Sequence, residues 1–351
     1  MELMNLKTLI KGALTKQPGV NFEDGQTAAV NALCEYYGLN SESSFRDIKR
    51  ATKGDFSIIE EVIDEVLPKE LENIMGQFAE IKSFARDAEV KYTIKNLGKR
   101  RALLGILPGA RGGLYKAHRL DNKDMHISTK VYTAAVYVTL ENILLGQVTL
   151  AELMDNILKG ITYQVWVDVV AALRTIKTLA PSANVYSGAD FSQTAIDKII
   201  RVVSNYGTPT LFCFESFANK INNNISLGSG MYPNIVVPQA DVEEIRNSGR
   251  VGKYKGYNVV VIPNFILDEN TNALWAFSEA DCWIMPAGIK PVIVAMQGEG
   301  YVAPVSIPSG GEEEHYHKIM GTAMLIYNNV GIYHDTNIEA AENNAGSVYN
   351  A

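Results

Sequence analysis

Two histidines, His315 and His317, are the strongest candidates for metal ligation in the chain. They alternate with Tyr316 and follow three consecutive glutamates at 312–314. On a strand, the two imidazoles would share one face and a nearby carboxylate could complete a metal site. A bound metal needs a third or fourth converging ligand, and the sequence identifies none. The stretch is therefore interpreted as a turn leading into a strand, with a metal-dependent enzyme kept as an alternative.

The sequence offers few other candidates for catalytic or ligand-binding residues. The glycine-rich stretch 105–113 offers backbone amides for a phosphate, but it lacks the Lys-Ser/Thr ending of a P-loop and the spacing of a dinucleotide-binding loop. His118, His126 and His334 belong to no recognisable catalytic motif, and neither G-x-S-x-G nor H-E-x-x-H occurs. The residues alone predict a non-enzymatic protein.

The composition limits the classes of protein to which the chain can belong. The 351 residues are 47% hydrophobic and 20% charged, which is enough for a packed core in one large domain or two ordinary ones. The net charge of −7 argues against a protein that coats nucleic acid with its whole surface. Three widely spaced cysteines exclude a disulfide framework. Without a membrane-length apolar run or a signal peptide, we expect a soluble protein made inside the cell.

Charges are sorted into blocks along the chain. Residues 53–80 contain eight acidic and two basic residues, 82–130 contain four acidic and twelve basic, and 312–351 contain six acidic and one basic. Blocks of this size favour segments that meet oppositely charged partners, although solvated faces could differ this much by chance. The pattern suits assembly.

The acidic block contains a predicted helix at 56–67. Apolar pairs recur every four residues at 58/59, 62/63 and 66/67, so they form one stripe. The opposite face carries four carboxylates: Glu60, Glu61, Asp64 and Glu65. Pro68 is expected to break or kink this helix.

The basic block predicts an extended hairpin arm. Residues 82–97 and 128–140 have strand character and enclose a long, basic, glycine-punctuated excursion. A loop of this length inside a compact domain usually has a function.

A long helix follows the hairpin. Thr149 and Glu152 form a capping box, and apolar residues at helical spacing continue until Pro181. This predicts a rod of about 45 Å, which Gly160 weakens without ending it. A second helix is predicted at 190–205, with Asp190 as its N-cap.

The order of these parts resembles the tailed-phage major capsid proteins of the Hong Kong 97 type. The shared order is an N-terminal arm, a basic hairpin, a strand ending at 137–141, a long helix and a mixed domain. Residues 241–257 are similar to the family's axial-domain helix with its following turn and strand, and 284–292 to the return towards the C-terminus. The resemblance covers about residues 80–335.

This resemblance implies an α+β chain with the Hong Kong 97-type capsid fold. The implied segments are an N-terminal arm at 1–80, an extended β-hairpin loop with flanking peripheral-domain strands at 81–148, a spine helix of the peripheral domain at 149–181, an axial domain at 182–288, C-terminal peripheral-domain strands at 289–338 and a mobile tail at 339–351.

The implied function is that of a major capsid protein, not an enzyme, with no catalytic residue, metal or cofactor. Copies would self-assemble as pentamers and hexamers into an icosahedral shell that encloses double-stranded DNA without reading its sequence. Portal, scaffolding or decoration proteins would be its partners, and no membrane is involved. The protein would reside in the virion after assembly in the host cytoplasm.

The charge blocks suggest how neighbours would meet in such a shell. We hypothesise that basic residues of the extended loop contact the acidic helix of another subunit. The basic side is Lys99, Arg100, Arg101, Arg111 and Lys116, and the acidic side is Glu60, Glu61, Asp64 and Glu65.

Two alternatives remain open from the sequence. An encapsulin-type nanocompartment shell shares the fold and would enclose an enzyme instead of a genome. A metal-dependent enzyme would use His315, His317 and the glutamates at 312–314.

Overall fold

The computed structural model describes residues 57–95, 122–137, 150–189, 191–226, 252–266, 270–271, 275–306 and 312–345. These residues mix helices and sheets, which confirms the predicted α+β class. The chain divides into two compact units. The first contains 1–92, 126–168 and 293–323, and the second contains 93–125, 169–292 and 324–351.

The described helices are α1 (Ser57–Met75), α2 (Leu150–Arg174), α3 (Ile176–Leu179), α4 (Gln193–Val203), α5 (Glu215–Ser226) and α6 (Thr336–Ala345). The described strands are β1 (Ala79–Phe84), β2 (Lys91–Lys95), β3 (Asn122–His126), β4 (Lys130–Tyr137), β5 (Val185–Gly188), β6 (Pro209–Cys213), β7 (Lys253–Tyr254), β8 (Tyr257–Val261), β9 (Asp281–Pro286), β10 (Val292–Ser306), β11 (Glu312–Met324) and β12 (Gly331–Asp335). Among these helices, none has both the length and the apolar character needed to cross a bilayer.

The first unit is built on a four-stranded sheet in the order β1-β10-β11-β4. Strands β11 and β4 are antiparallel, with a register that runs from Glu313 opposite Tyr137 to Met320 opposite Lys130. Apolar side chains of α1, α2 and the sheet are buried in this unit, and the rings of Phe78 and Trp166 pack with their centroids 5.2 Å apart.

Helix α1 continues through Pro68, which was expected to break or kink it. Pro68 lies inside the helix, which ends only at Met75. A proline lacks the amide that would bond the carbonyl four residues earlier, here that of Asp64, and such a loss costs about 3 kcal/mol. Apolar residues on both sides of the proline are buried, including Leu67 and Leu71. Burial of these apolar side chains explains why the helix continues despite the lost hydrogen bond.

Helix α2 matches the predicted spine helix at its start but not at its end. It ends at Arg174, and the four-residue α3 follows, whereas one rod was predicted over 149–181. The Thr175 hydroxyl donates a hydrogen bond of 2.6 Å to the Ala172 carbonyl, and the Thr175 amide donates to the same oxygen. This local bonding replaces the regular helical pattern and separates the two helices.

The predicted hairpin has a different strand pairing. Strand β2 pairs with β3, whereas β4, which covers most of the second predicted strand, pairs with β11. Thr93 donates a 2.7 Å hydrogen bond to Asp124 across β2 and β3. The excursion between these strands, 96–121, lies outside the described residues.

The second unit is built on a six-stranded sheet in the order β5-β12-β9-β6-β8-β7. Its core contains α4 and α5 side chains packed with Leu211, Cys213, Cys282 and Ile284 of the central strands. A Cβ atom on Gly331 would overlap the side chain of Ile199, so glycine lets α4 lie close to β12.

The C-terminal strands contribute to both sheets. Strands β10 and β11 belong to the four-stranded sheet, but β12 pairs with β5 and β9 in the other sheet. Part of the predicted mobile tail, up to Ala345, is the helix α6. Asp335 explains the start of this helix because its carboxylate accepts hydrogen bonds from the amides of Asn337 and Ile338.

Helix α4 begins later than predicted. Its N-cap is Ser192, whose hydroxyl accepts a 3.3 Å hydrogen bond from the Ala195 amide, whereas Asp190 was the predicted cap. Asp190 lies outside the described residues. Serine and aspartate cap equally well, so composition alone could not choose between them.

We predict that Ser192→Ala lowers the free energy of unfolding by about 1 kcal/mol, because the Ala195 amide loses its side-chain acceptor and keeps only the 3.1 Å bond to the Ser192 carbonyl. Chemical denaturation of the purified chain measures the change. Ser192→Asp restores an acceptor and serves as the control, and an equal loss in both variants would contradict the capping role.

Candidate subunit interface

The residues predicted to join neighbouring subunits are only partly described. Lys99, Arg100, Arg101, Arg111 and Lys116 all lie outside the described residues. Glu60 and Glu61 lie in α1, but their side chains are not described. Asp64 and Glu65 are described with their partners.

Asp64 is bound within its own unit. Its carboxylate accepts a 2.6 Å bond from the Lys318 ammonium and a 2.9 Å bond from the Tyr316 hydroxyl on one oxygen. The other oxygen accepts a 2.7 Å bond from the Gly300 amide. The side chains of Asp64 and Lys318 are only 18% and 6% exposed. This largely buried ion pair fastens α1 to strands β10 and β11.

Two glycines in β10 make room for the pair. A Cβ atom on Gly300 would overlap the Tyr316 hydroxyl, which would be displaced from Asp64. Gly298 has a φ of +69°, and its carbonyl accepts a 2.9 Å bond from Lys318. Only glycine adopts that backbone conformation readily.

Glu65 is the described carboxylate of the predicted acidic face that remains on the surface. It accepts a 3.3 Å bond from Lys69, one helical turn later, and its side chain is 45% exposed. An exposed pair of this type contributes little to stability. Glu65 is therefore exposed at the surface, whereas Asp64 is largely enclosed by its partners.

Helix α2 is tied to the edge of the same sheet. Asp168 accepts hydrogen bonds from the Tyr132 hydroxyl and from Lys130, the latter at 3.0 Å. Burial, together with the hydrogen bond to Asp168, raises the pKa of Tyr132. The phenol therefore stays a neutral donor across the physiological range.

The candidate metal ligand His317 has other partners. Its Nδ1 atom lies 2.8 Å from the Thr133 hydroxyl, and its ring stacks on Tyr301 with centroids 4.8 Å apart. His315 and the glutamates at 312–314 lie in β11, but their side chains are not described. Within the described part of the chain, no group of three or more residues could hold a metal ion.

A second buried charge cluster lies in the second unit, centred on Asp281. Arg174 donates to its carboxylate at 3.1 Å, Lys177 lies 3.2 Å away and His334 2.7 Å away. The other nitrogen of His334 lies 3.0 Å from Glu339 of α6. The cluster thus joins α2, α3, β9, β12 and α6.

The cluster shifts the titration of both central groups. Burial alone would raise the pKa of Asp281, but the His334 hydrogen bond and the nearby cations outweigh it and lower that pKa. The hydrogen bond to Asp281 raises the pKa of His334 against the opposing effect of burial. Sequence reasoning found no partner for His334, because Asp281 lies 53 residues away along the chain.

Comparison with known families identifies the type of protein. Residues 6–306 match the family described as "SPbeta prophage-derived putative capsid protein YonB". The chain belongs to this capsid protein family. Membership confirms the predicted capsid function and makes the chain a structural protein, not an enzyme. Neither alternative, the nanocompartment shell or the metal-dependent enzyme, is favoured by this match.

Solved capsids are similar to this YonB-family chain at low identity. The capsid of cyanophage P-SCSP1u is 10% identical with a TM-score of 0.49, covering 75% of this chain and 88% of that one. The head of Helicobacter pylori bacteriophage KHP40 is 11% identical with a TM-score of 0.46, covering 74% and 87%. A virus-like particle from Pyrococcus furiosus is 8% identical with a TM-score of 0.42, covering 78% and 98%. None of the curated proteins compared with the chain has a significantly similar sequence.

We predict that Lys318→Met lowers the free energy of unfolding by about 3 kcal/mol, because Asp64 is left as a largely buried charge without its cation. Asp64→Asn combined with Lys318→Met removes both charges and should recover part of the loss. Denaturation of the single and double variants measures the difference. A double variant no more stable than Lys318→Met would contradict the pairing.

We predict that stability falls as the pH rises above about 6.5, the usual pKa of histidine. A raised folded-state pKa at His334 contributes stability below the unfolded-state pKa and loses it as pH rises through the folded value. Thermal unfolding between pH 5.5 and 8.5 measures the slope, which His334→Gln should flatten. His126→Gln, at an exposed histidine paired with Glu89, is the matched control and should keep the slope.

Proposed function

We propose that the chain is the repeating subunit of an icosahedral shell of a tailed-phage type, in which copies associate as pentamers and hexamers around double-stranded DNA. The observation that carries this proposal is the family match over residues 6–306. Assembly would take place in the host cytoplasm, with portal, scaffolding or decoration proteins as further partners.

The packing of the subunit supports a role as a building block. Each unit has its own sheet and buried core, and each contains an ion-pair cluster that ties a helix to its strands. A shell subunit needs this internal order because the same contacts must be repeated in every copy.

The net charge bears on how the genome would be held. A net charge of −7 argues against a protein that binds DNA with its whole surface by releasing counterions. DNA would therefore be enclosed by the closed shell without sequence-specific contacts, and it would enter by a motor rather than by affinity.

The contact between neighbours is proposed to join the basic loop to the acidic helix. Lys99, Arg100, Arg101, Arg111 and Lys116 would meet α1 of another subunit. Asp64 already bonds to Lys318 within its own unit, so we propose that Glu60, Glu61 and Glu65 make the contact. Each exposed pair contributes under about 1 kcal/mol, but repetition over many copies adds up and sets the register.

Particle size and contents test the proposal as a whole. The chain is expressed alone and examined by light scattering and negative-stain electron microscopy. Closed shells, or rings of five and six subunits, are the expected outcome. A shell that contains DNA in infected cells supports a phage coat, and one that contains an enzyme would indicate a nanocompartment. A monomer with stoichiometric metal that His317→Ala abolishes would overturn the assignment.

We predict that Arg100→Glu with Arg101→Glu blocks shell formation while the subunit stays folded, because like charges would then face the acidic helix. Light scattering measures assembly and circular dichroism measures folding. Adding Glu61→Arg and Glu65→Arg reverses both sides and should restore shells. The matched control reverses two exposed cations of α4, Lys198 and Arg201. Normal shells from the first double variant would contradict the contact.

A further inference from the structure

Two of the three cysteines lie opposite each other in the six-stranded sheet. Cys213 ends β6, Cys282 lies near the start of β9, and the two are partners in the antiparallel register of these strands. Both side chains are fully buried and belong to the core that contains apolar side chains of α4 and α5. The fold thus pairs two thiols that lie far apart in the sequence.

Backbone hydrogen bonds identify the kind of cross-strand pair that the cysteines form. Opposite residues in an antiparallel ladder alternate between pairs that exchange backbone bonds and pairs that do not. Just beyond the two strands, the Ala287 amide donates a 2.8 Å bond to the Thr208 carbonyl, so 208 and 287 are a bonded pair. Alternation along the register from that pair makes Cys213 and Cys282 a non-bonded pair.

The backbone of each cysteine bonds to the strand on its other side, which agrees with this alternation. The Cys213 carbonyl accepts a 2.8 Å bond from the Ile262 amide, which follows β8. On the far side of β9, the Ala280 carbonyl accepts a 2.9 Å bond from the Asp335 amide, and alternation from there directs the backbone groups of Cys282 towards β12. The space between the two cysteines is therefore left to their side chains.

A non-bonded pair brings its side chains closer together than a bonded pair does. The Cα atoms of such a pair are about 4.5 Å apart. Disulfides form over Cα separations of about 4.4–6.8 Å. Opposite residues also share one face of the sheet, so both thiols enter the same core. A bond between them requires no change in the register of β6 and β9.

We propose that Cys213 and Cys282 form a cross-strand disulfide when the chain meets a low-molecular-weight disulfide such as oxidised glutathione. The thiolate of one cysteine attacks a glutathione sulfur, the glutathione S–S bond breaks and one glutathione thiolate leaves. The thiolate of the other cysteine attacks the protein sulfur of this mixed disulfide and expels the second glutathione. Two electrons pass from the cysteines to glutathione, and the two thiol protons end on the glutathione thiols that are produced.

Enclosure of the pair determines when this exchange takes place. Burial, followed by a hydrogen bond with Cys213, raises the pKa of Cys282, so the closed core keeps this thiol protonated and unreactive. Exchange therefore takes place while the chain folds or opens locally. Because the cytoplasm keeps thiols reduced, the link is expected only in oxidising surroundings. A single subunit is sufficient for this step.

Refolding in a glutathione redox buffer tests the proposal. The full-length Cys34→Ser chain, which keeps only the two cysteines of the pair, is equilibrated with reduced and oxidised glutathione, both folded and in concentrated guanidinium chloride. Acid quenching, alkylation and peptide mass spectrometry measure the fraction joined from Cys213 to Cys282. The equilibrium constant for the disulfide should be at least tenfold larger in the folded chain, and a smaller ratio would overturn the proposal.

Thermal unfolding gives a second measurement on the same protein. By linkage, a fold that favours the disulfide is stabilised by it to the same factor. The bond closes a loop of about 70 residues in the unfolded chain. Oxidised Cys34→Ser should therefore unfold at a midpoint about 2 °C or more above the reduced form. An unchanged or lower midpoint in the linked protein would overturn the proposal.

A variant with a single thiol is the matched control. Cys213→Ala in the Cys34→Ser background keeps Cys282 alone, and the same treatment should produce no link and no shift of its midpoint. An equal shift in this variant would overturn the proposal, because the stabilisation would not come from the pair. Neither measurement requires shells, so a failure to assemble would count against the proposed function alone.

Discussion

The first unit depends on the ion pair between Asp64 and Lys318. Pro68 removes a backbone hydrogen bond at the turn of α1 that contains Asp64, and the carboxylate of that residue makes three bonds to the sheet. The turn that lacks a backbone hydrogen bond is therefore attached to the sheet through the side chain of Asp64. Tyr316, Gly298 and Gly300 are arranged around this attachment.

In the second unit, a buried charge cluster likewise attaches helices to strands. Asp281 is buried and neutralised by Arg174, Lys177 and His334, and the neighbouring Asp335 caps α6 and pairs with Lys220. Buried ion pairs are weak evidence for high stability, but removing one partner from such a pair is costly. Both units thus use charges to specify how helices attach to strands, while apolar burial supplies most of the stabilisation.

Local sequence patterns predicted the positions of helices and strands better than they predicted which elements and side chains contact one another. The start of α2, the acidic helix and the strand character of β2 and β4 follow from periodicity and capping, which act within a few residues. The pairing of β4 with β11, the partners of Asp64 and the environment of His334 depend on residues far away in sequence, and no local signal encodes them. The continuation of α1 beyond residue 67, where Pro68 was expected to break or kink it, depends on buried side chains after the proline that outweigh the lost hydrogen bond. The predicted basic contact residues lie outside the described chain and remain a prediction.

A small local free energy has a larger effect in a particle built from many copies than in a single subunit. If α1 detaches from its sheet with a free energy of about 4 kcal/mol, roughly one subunit in a thousand is detached at any moment. An isolated subunit would function normally at that frequency. In a closed particle with several hundred copies, the same frequency means that a substantial fraction of particles contains at least one subunit with a detached α1. A shell therefore tolerates less frequent detachment of α1 than a monomer does. The bonds at Asp64 are those that attach this helix to its sheet.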